Sequence, residues 1–504
     1  MKGCFILQRG FAYIGHDIAY HLKNSHGITE FCGYVYLRSS YDFLKSQTEV
    51  EYSTLLLDED VHKDFEKEKL DTDYLNYLER EFGLPSLWPY TAVDRVLMSS
   101  QLVREYPYNQ PMYTHEEMMK IFQVKARAII KMLENEKPDF VFCGVIGSIG
   151  SVFLYHAAKK FGIPIYAALP TLIGGRNILS DTYHTFTSVD KSFRANVERL
   201  KSTSHWQEAT NYIEEFRNRP TAWLKKLTPS AQAISRNKQF LFLRPFRAFR
   251  SLRALLRDIV GSFTSAERFD YSYINPWNQL RDKFARKINN LIGQDDLYDT
   301  VDPNDDYAFF PLHLEPEVAL LLQAPNYADQ MHVIRTIART LPLQYKLYVK
   351  EHPQMVEYRR RSYYKELKKI PNLKLINPKI TSHELIANAK LLFTITGSAG
   401  WEATILKKPI INFGRHFYNS LSQIKLCTNI DTLSGLVKEQ LEKFVHNEQE
   451  LIAFMAAIFE DSVDVSMHQL WEDEKDLEKK RRGIKPLADL LASKLISKQN
   501  GNAT

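Results

Sequence analysis

Two short segments in the second half of the chain hold residue types suited to anion chemistry. Leu347-Tyr348-Val349-Lys350-Glu351-His352-Pro353 reads as a strand running straight into a His-Pro turn. Further on, Leu391-Leu392-Phe393-Thr394-Ile395-Thr396-Gly397-Ser398-Ala399-Gly400-Trp401-Glu402-Ala403 reads as a strand, a turn of small residues and the start of a helix. The backbone N–H groups of Gly397 to Gly400 would then face whatever lies beyond the strand's carboxyl end. A helix N-terminus there offers unpaired donors and a partial positive charge, which suits a phosphate. Glu402, one turn into the helix, is placed to accept hydrogen bonds from ribose hydroxyls. Taken alone, the turn could be a tight strand-to-helix connection and His352 a packed or surface histidine. Both motifs fall at strand ends in one lobe, so Lys350, His352, Thr396, Gly397, Ser398 and Glu402 form a candidate nucleotide-binding set.

Such residues need a scaffold, and the flanking pattern supplies one. Strand signals at Tyr307–Pro311, Tyr345–Lys350, Leu373–Ile376, Leu391–Ile395 and Pro409–Phe413 alternate with helix signals at His332–Thr340, Ser382–Asn388 and Gly400–Leu406. In the N-terminal third, Phe5–Leu7 reads as a buried strand, Gly10–Gly15 as a loop and Asp17–Lys23 as a helix with Asp17 as its N-cap. Phe31–Leu37 is a further candidate strand. Ala126–Glu136 (helix), Asp139–Cys143 (strand), a turn with Gly144, Gly147 and Gly150, a helix to Lys160 and Gly162–Tyr166 (strand) make a βαβ unit, which demands a parallel sheet. The expected fold is α/β, with two Rossmann-like lobes, a helical middle insertion and C-terminal helices. The boundaries expected are 1–190 for the first lobe, 191–304 for the insertion, 305–465 for the second lobe and 466–504 for the tail. A ligand cleft belongs between such lobes.

The middle differs from the lobes in charge. Lys225 to Arg257 holds nine Lys or Arg and no Asp or Glu. Arg247, Arg250, Arg253 and Arg257 recur at helical spacing beside Phe246, Phe249, Leu252, Leu255 and Ile259. Such a basic amphipathic helix can lie in an anionic lipid interface. The alternative is an interlobe helix packed on protein. Over all 504 residues the net charge is only +6, too mild for a nucleic-acid binder, and no stacking platform accompanies the basic stretch. Cys4, Cys32, Cys143 and Cys427 are scattered, so neither a disulfide framework nor a zinc site is expected. Gln8 and Arg9 cut short the apolar run at the start, and no stretch is long enough for a membrane span. The expected location is cytosolic, free or peripheral on the inner face of the cytoplasmic membrane.

Phe309-Phe310-Pro311-Leu312, Val349–Pro353 and Thr394–Ala403, followed by Lys408-Pro409 and Phe413-Gly414, together resemble the capsule polysaccharide biosynthesis family over about residues 305–420. The resemblance implies a GT-B-like glycosyltransferase. Several members transfer Kdo from CMP-Kdo onto a lipid or glycan acceptor. It also implies that His352 and Thr396-Gly397-Ser398 hold the donor phosphate and Glu402 the ribose. In the first lobe Arg176 is the match for a family arginine, while the family's acidic pair is absent and its Gln near position 310 is replaced by His313.

Transfer from a nucleotide needs charge neutralisation on the leaving phosphate and an acid, base or nucleophile near the acceptor. Asp17, Arg176 and Asp181 are the catalytic candidates, with Gly10 and His16 on the acceptor side and Asp94 as a further carboxylate. Leu57-Asp58-Glu59-Asp60 matches a strand followed by Asp-x-Asp, a metal-clamp pattern, but acids before a helix are commonly caps. No metal or other cofactor is expected. The expected function is transfer of a sugar from a nucleotide donor to a lipid-linked or glycan acceptor in bacterial surface polysaccharide synthesis, alongside other assembly proteins and without nucleic acid. A nucleotide-sugar 2-epimerase and a non-catalytic assembly subunit are the alternatives.

Overall fold

The computed structural model describes residues 1–8, 10–99, 111, 113–220, 245–264, 276–356 and 358–501. Its strands are β1 (Lys2–Leu7), β2 (Glu30–Val35), β3 (Tyr52–Leu57), β4 (Phe140–Cys143), β5 (Ile165–Pro170), β6 (Asn177–Ser180), β7 (Tyr307–Pro311), β8 (Lys346–Lys350), β9 (Leu373–Ile376), β10 (Leu391–Thr394), β11 (Ile410–Asn412), β12 (Ile424–Leu426) and β13 (Ser462–Val463). They build two sheets, ordered β13-β6-β5-β4-β1-β2-β3 and β12-β11-β10-β7-β8-β9. The second sheet is parallel throughout, and the first is parallel except where β6 joins β5 and β13 joins β6.

Both strand orders reverse at one point, between β1 and β4 in the first sheet and between β7 and β10 in the second. This is the doubly wound arrangement, in which ligands bind beyond the carboxyl ends at the reversal. The expected two-lobed α/β fold is therefore what forms. The strands read as nearly unbroken apolar runs because helices cover both faces of each sheet. Phe309, Phe310, Leu347, Val349, Leu392 and Phe393 are all fully buried.

The sheets divide the chain elsewhere than at 190 and 465. The helices Thr187–Ala195 and Ser204–Asn218 pack on Glu448–Asp461, with Phe193 against Phe454 and Phe186 stacked on Phe417 at 4.5 Å. They thus share a core with the second lobe. β13 then returns the chain to the first sheet, and the Leu477–Gly501 helix lies along the Phe11–His26 helix. The boundaries shift because the apolar faces of these helices find their partners across the lobe junction, which sequence periodicity does not encode.

The expected Gly10–Gly15 loop is instead helical from Phe11. Gly15 serves close packing: a Cβ there would sit 2.5 Å from Leu7 Cδ2. In the middle, Pro245–Thr264 and Pro276–Ile292 are helices, and Phe246, Phe249, Leu252, Leu256 and Val260 of the first are exposed rather than packed on either lobe. The Lys225–Arg244 part of the basic stretch lies outside the described residues, as does the side chain of Arg247. No described helix is long and apolar enough to cross a membrane.

Candidate functional site

At the reversal in the second sheet, the carboxyl ends of β10, β7 and β8 stand side by side, about 4.8 Å apart from strand to strand. β10 runs into Ile395-Thr396-Gly397 and the Ser398–Ile405 helix, β7 into His313, and β8 into His352. His313 therefore stands between the two motifs singled out in the sequence.

His313 ties itself to the turn. Its Nε2 accepts from the Thr396 N–H at 3.2 Å and lies 3.1 Å from Thr394 Oγ1, which in turn accepts from the Gly397 N–H at 3.0 Å. An acceptor at Nε2 places the ring proton on Nδ1. That atom is buried without a well-aligned hydrogen bond, beside the Gln330 amide. Burial holds the imidazole neutral by pulling its pKa down to about 4, with Arg359 acting the same way.

The backbone of His313 is clamped as firmly as its ring. Its N–H donates to Gln330 Oε1 at 2.7 Å, and its carbonyl accepts from Arg359 Nη2 at 2.8 Å and from Gln330 Nε2 at 3.2 Å. Arg359 also pairs with Glu315 at 3.1 Å and with the fully buried Glu351, which accepts from Tyr364 Oη at 2.7 Å and from the His352 N–H at 2.6 Å. One buried network thus fixes both His313 and the start of the His-Pro turn. His352 Nδ1 accepts from the Gln354 N–H at 3.2 Å, so the neutral ring carries its proton on Nε2.

The Ser398–Ile405 helix has no side-chain cap, and Gly397 and Ser398 at its start are half-buried. Gly400 permits a close approach: Tyr418 Oη, which donates to the Gly397 carbonyl at 2.7 Å, would lie 2.5 Å from an added Cβ. Thr396 turns its hydroxyl to the Ala319 carbonyl at 3.2 Å, so its side chain braces the turn.

Two members of the expected set have partners within the protein. Lys350 is buried, and its ammonium donates to the Ile380 carbonyl at 2.7 Å and to Ser382 Oγ at 2.8 Å, anchoring the helix that carries His383. It positions that helix. Glu402 faces His383 Nε2 at 3.1 Å and is buried, so a ribose would have to share it with that ring.

Three cleft residues carried no sequence signal. Arg415, exposed after β11, acts electrostatically on His184 and Tyr183 of the first lobe. Burial and Arg415 hold His184 at about 4, and burial with His184 and His313 holds His416 at about 3. Only their approach across the cleft marks them. Phe413-Gly414 was readable as part of the motif, and Arg415 is its next residue.

The first-lobe candidates lie apart from this cluster, and the C-terminal helix accounts for one of them. Asp17 sits inside a helix, not at its cap, and accepts from Arg481 Nε at 3.0 Å. His16 is buried between Glu49, 3.3 Å from Nε2, and Tyr52, and burial lowers its pKa. Gly10 packs on the Trp471 indole, 3.2 Å from where its Cβ would be. Asp181 is exposed, its carbonyl accepting from Tyr155 Oη at 2.9 Å. Asp94 is fully buried and accepts from the N–H groups of Val96, Leu97 and Ile149.

Arg176 lies at the lobe junction. It bonds the Ser462 carbonyl, pairs with Glu208 at 3.3 Å and stacks over Phe459 at 4.9 Å. It lines a cavity of about 320 Å³ together with Gly174, Gly175, Glu208, Tyr212, Glu215 and Asp464. Tyr212 lies on the Ser204–Asn218 helix, which packs on the Ser398–Ile405 helix and so brings this cavity beside the second-lobe site.

The Asp-x-Asp pattern is divided between two partners. Asp58 is fully buried on Lys125 at 2.8 Å and on Tyr34, while Asp60 pairs with Arg38 at the surface. Among the described residues no group of three or more His, Cys, Asp or Glu is arranged to hold a metal ion.

Comparison with known proteins bears on the same half of the chain. Residues 261–422 match the family model described as capsule polysaccharide biosynthesis protein. Protein FixF of Sinorhizobium fredii (strain NBRC 101917 / NGR234) is 30% identical over 122 residues, which are 24% of this chain and 29% of that protein. The chain thus spans less than a third of the length of the curated relative it matches. The beta Kdo 2,7 transferase structure of Thermosulfurimonas dismutans KpsC aligns with TM-score 0.34 at 10% identity, covering 65% of this chain and 80% of that one. UDP-GlcNAc 2-epimerase from Neisseria meningitidis aligns with TM-score 0.28 at 12% identity over 99% and 100%. At those scores neither structure separates the two chemistries, and the fold assignment rests on the strand orders. The match over residues 261–422 takes in β7 to β11 and the turn after β10, so the part of the chain that holds the two motifs is similar to the capsule polysaccharide biosynthesis family.

Proposed function

We propose that the chain is a glycosyltransferase of capsule or related surface polysaccharide synthesis. It would move a sugar from a nucleotide donor, with a CMP-activated ulosonic acid such as Kdo favoured by the family resemblance, to a lipid-linked or glycan acceptor. The observation that carries this reading is the side-chain-uncapped N-terminus of the Ser398–Ile405 helix, set over the clamped and neutral His313 at the sheet's reversal point.

In this reading the leaving phosphate sits on the amides after Gly397, where the helix end and preorganised donors stabilise the charge that develops as the glycosidic bond breaks. His352, through Nε2–H, and Arg415 supply further positive character from either side. No metal is called on, because amides and basic side chains meet the phosphate. Glu402 and His383 would share the ribose, and Arg176 would line the cavity at the lobe junction.

Thermal stabilisation against CMP, CDP, UDP, GDP and TDP tests this. A ligand bound only to the folded state at 100 times its Kd adds about 2.7 kcal/mol. Selective stabilisation by CMP, undiminished by EDTA, is the expected result. Selective stabilisation by UDP, with conversion of a UDP-sugar in the absence of acceptor, would replace the transferase by an epimerase. No response to any nucleotide at millimolar concentration would remove the site.

A further inference from the structure

The helices Pro245–Thr264 and Pro276–Ile292 both turn apolar residues to solvent. On the first, Phe246 is 93% and Phe249 70% exposed, and Leu252, Leu256 and Val260 are exposed with them. At about 100° per residue, Leu252, Leu256, Phe249 and Val260 share one quadrant and Arg253, Arg257 and Arg250 the next. All three arginines are exposed as well. On the second helix, Phe284, Ile288, Leu291 and Ile292 form one exposed stripe, while Asp282 is only 2% exposed and Arg286 reaches inward to Tyr358 Oη at 3.0 Å. A helix in water ordinarily turns its polar face out. This one packs its polar side on the second lobe and shows its apolar side to solvent.

We propose that these two helices form a docking face for an anionic phospholipid surface, with both apolar stripes entering the headgroup boundary and the arginine row lying along the phosphates. Charge decides the occupant. The first helix sets a row of guanidinium groups directly beside its apolar quadrant, the pattern that anchors an interfacial helix. A second copy of this chain would set the same arginines against each other. The inference does not depend on the nucleotide reading, and it extends the basic helix expected from the sequence to a second helix whose role no charge pattern announced.

Flotation of the full chain with vesicles of phosphatidylcholine, with and without 30% phosphatidylglycerol, tests it, with sedimentation velocity on the same samples. Binding is expected only to the anionic vesicles. With each arginine contributing about 5-fold, R250E/R253E/R257E should weaken it about 100-fold. The pair F249E and I288E should weaken it at least about 10-fold without lowering the melting temperature or the nucleotide-induced stabilisation. Binding unchanged in either set overturns the proposal. So does a wild-type dimer that F249E/I288E converts to monomer, which would assign the face to a second copy. Loss of nucleotide response with vesicle binding intact would strike the transferase reading alone.

Discussion

Each sheet presents a glycine-containing turn and a helix at its reversal point, and the two are finished in opposite ways. In the first sheet, the Ile149–Lys160 helix carries a capping box between Ser148 and Ser151, and its first amide donates to the buried Asp94. Gly147 stands against Val318 of the second lobe, whose Cγ2 would lie 2.7 Å from an added Cβ. In the second sheet, the Ser398–Ile405 helix has no side-chain cap, and the polar investment lies underneath it, in His313 and the Glu351–Arg359 pair. A helix end that the protein caps for itself completes the fold, whereas one left uncapped above a rigid polar floor keeps its donors for a ligand. On the proposed reading, the same supersecondary unit serves stability in one lobe and recognition in the other.

The sharpest way to break this comparison is to remove one buried cation from each lobe. Lys125→Ala would strand Asp58, and Arg359→Ala would strand Glu351; each should cost about 3–5 kcal/mol in urea unfolding. Only Arg359→Ala should also abolish nucleotide-induced stabilisation in the protein that remains folded, because Arg359, unlike Lys125, donates to the His313 carbonyl. Equal loss of nucleotide response in both variants would mean that the two lobes bind the ligand together.

Crowding each turn is the next test. Gly150→Ala would drive a methyl into Tyr34 Oη, and Gly400→Ala into Tyr418 Oη. Overpacking of this kind costs about 1–3 kcal/mol. Isothermal titration should find nucleotide affinity unchanged in the first and lowered at least tenfold in the second, since Tyr418 holds the Gly397 carbonyl. His352→Ala should weaken binding about 10-fold with little loss of stability, the worth of one hydrogen bond to a charged group.

The contrast between these turns shows what a sequence can and cannot carry. The strands and turns of the second lobe were legible because apolar runs and small residues are local signals; β9 and the Ser382–Asn388 helix fall where the pattern places them. The uncapped helix end was not legible, since Ser148 and Ser398 look alike until Asp94 comes near only one of their helices. His313 showed in the sequence only as a departure from a family residue, because its importance comes from neighbours as far away as Arg359. Asp17 was readable as a catalytic candidate and His16 as an acceptor-side one, but nothing near them announced Arg481, some 460 residues on, which pairs with the helix they share. Local chemistry is written locally; partners brought in by the fold are not.

A smaller effect distinguishes His313 by its proton. Its folded pKa of about 4 lies below the ordinary 6.5, so the unfolded chain takes up the proton first as the pH falls. Its contribution to stability is complete above pH 6.5 and declines between 6.5 and 4. His313→Gln should flatten the pH dependence of unfolding in that window by up to one proton, about 1.4 kcal/mol per pH unit. Identical slopes for both proteins would show that the ring is already charged, and that the floor beneath the turn is a cation.

The smallest expected effect concerns the lobe that keeps its polar groups for itself. Asp17 is held by Arg481, which also pairs with Glu49 at 2.7 Å, so the cation keeps a partner when Asp17 is replaced. A partly exposed pair of this kind contributes about 1 kcal/mol or less. Asp17→Asn should therefore shift the urea midpoint slightly and leave the rate of transfer to an acceptor glycan at the wild-type value. A fall in turnover of a hundredfold or more, with the midpoint unmoved, would instead make Asp17 a reacting carboxylate. That would place chemistry in the first lobe on the flank of its helix, away from the carboxyl ends of its strands, and the division of labour between the two sheets would not stand.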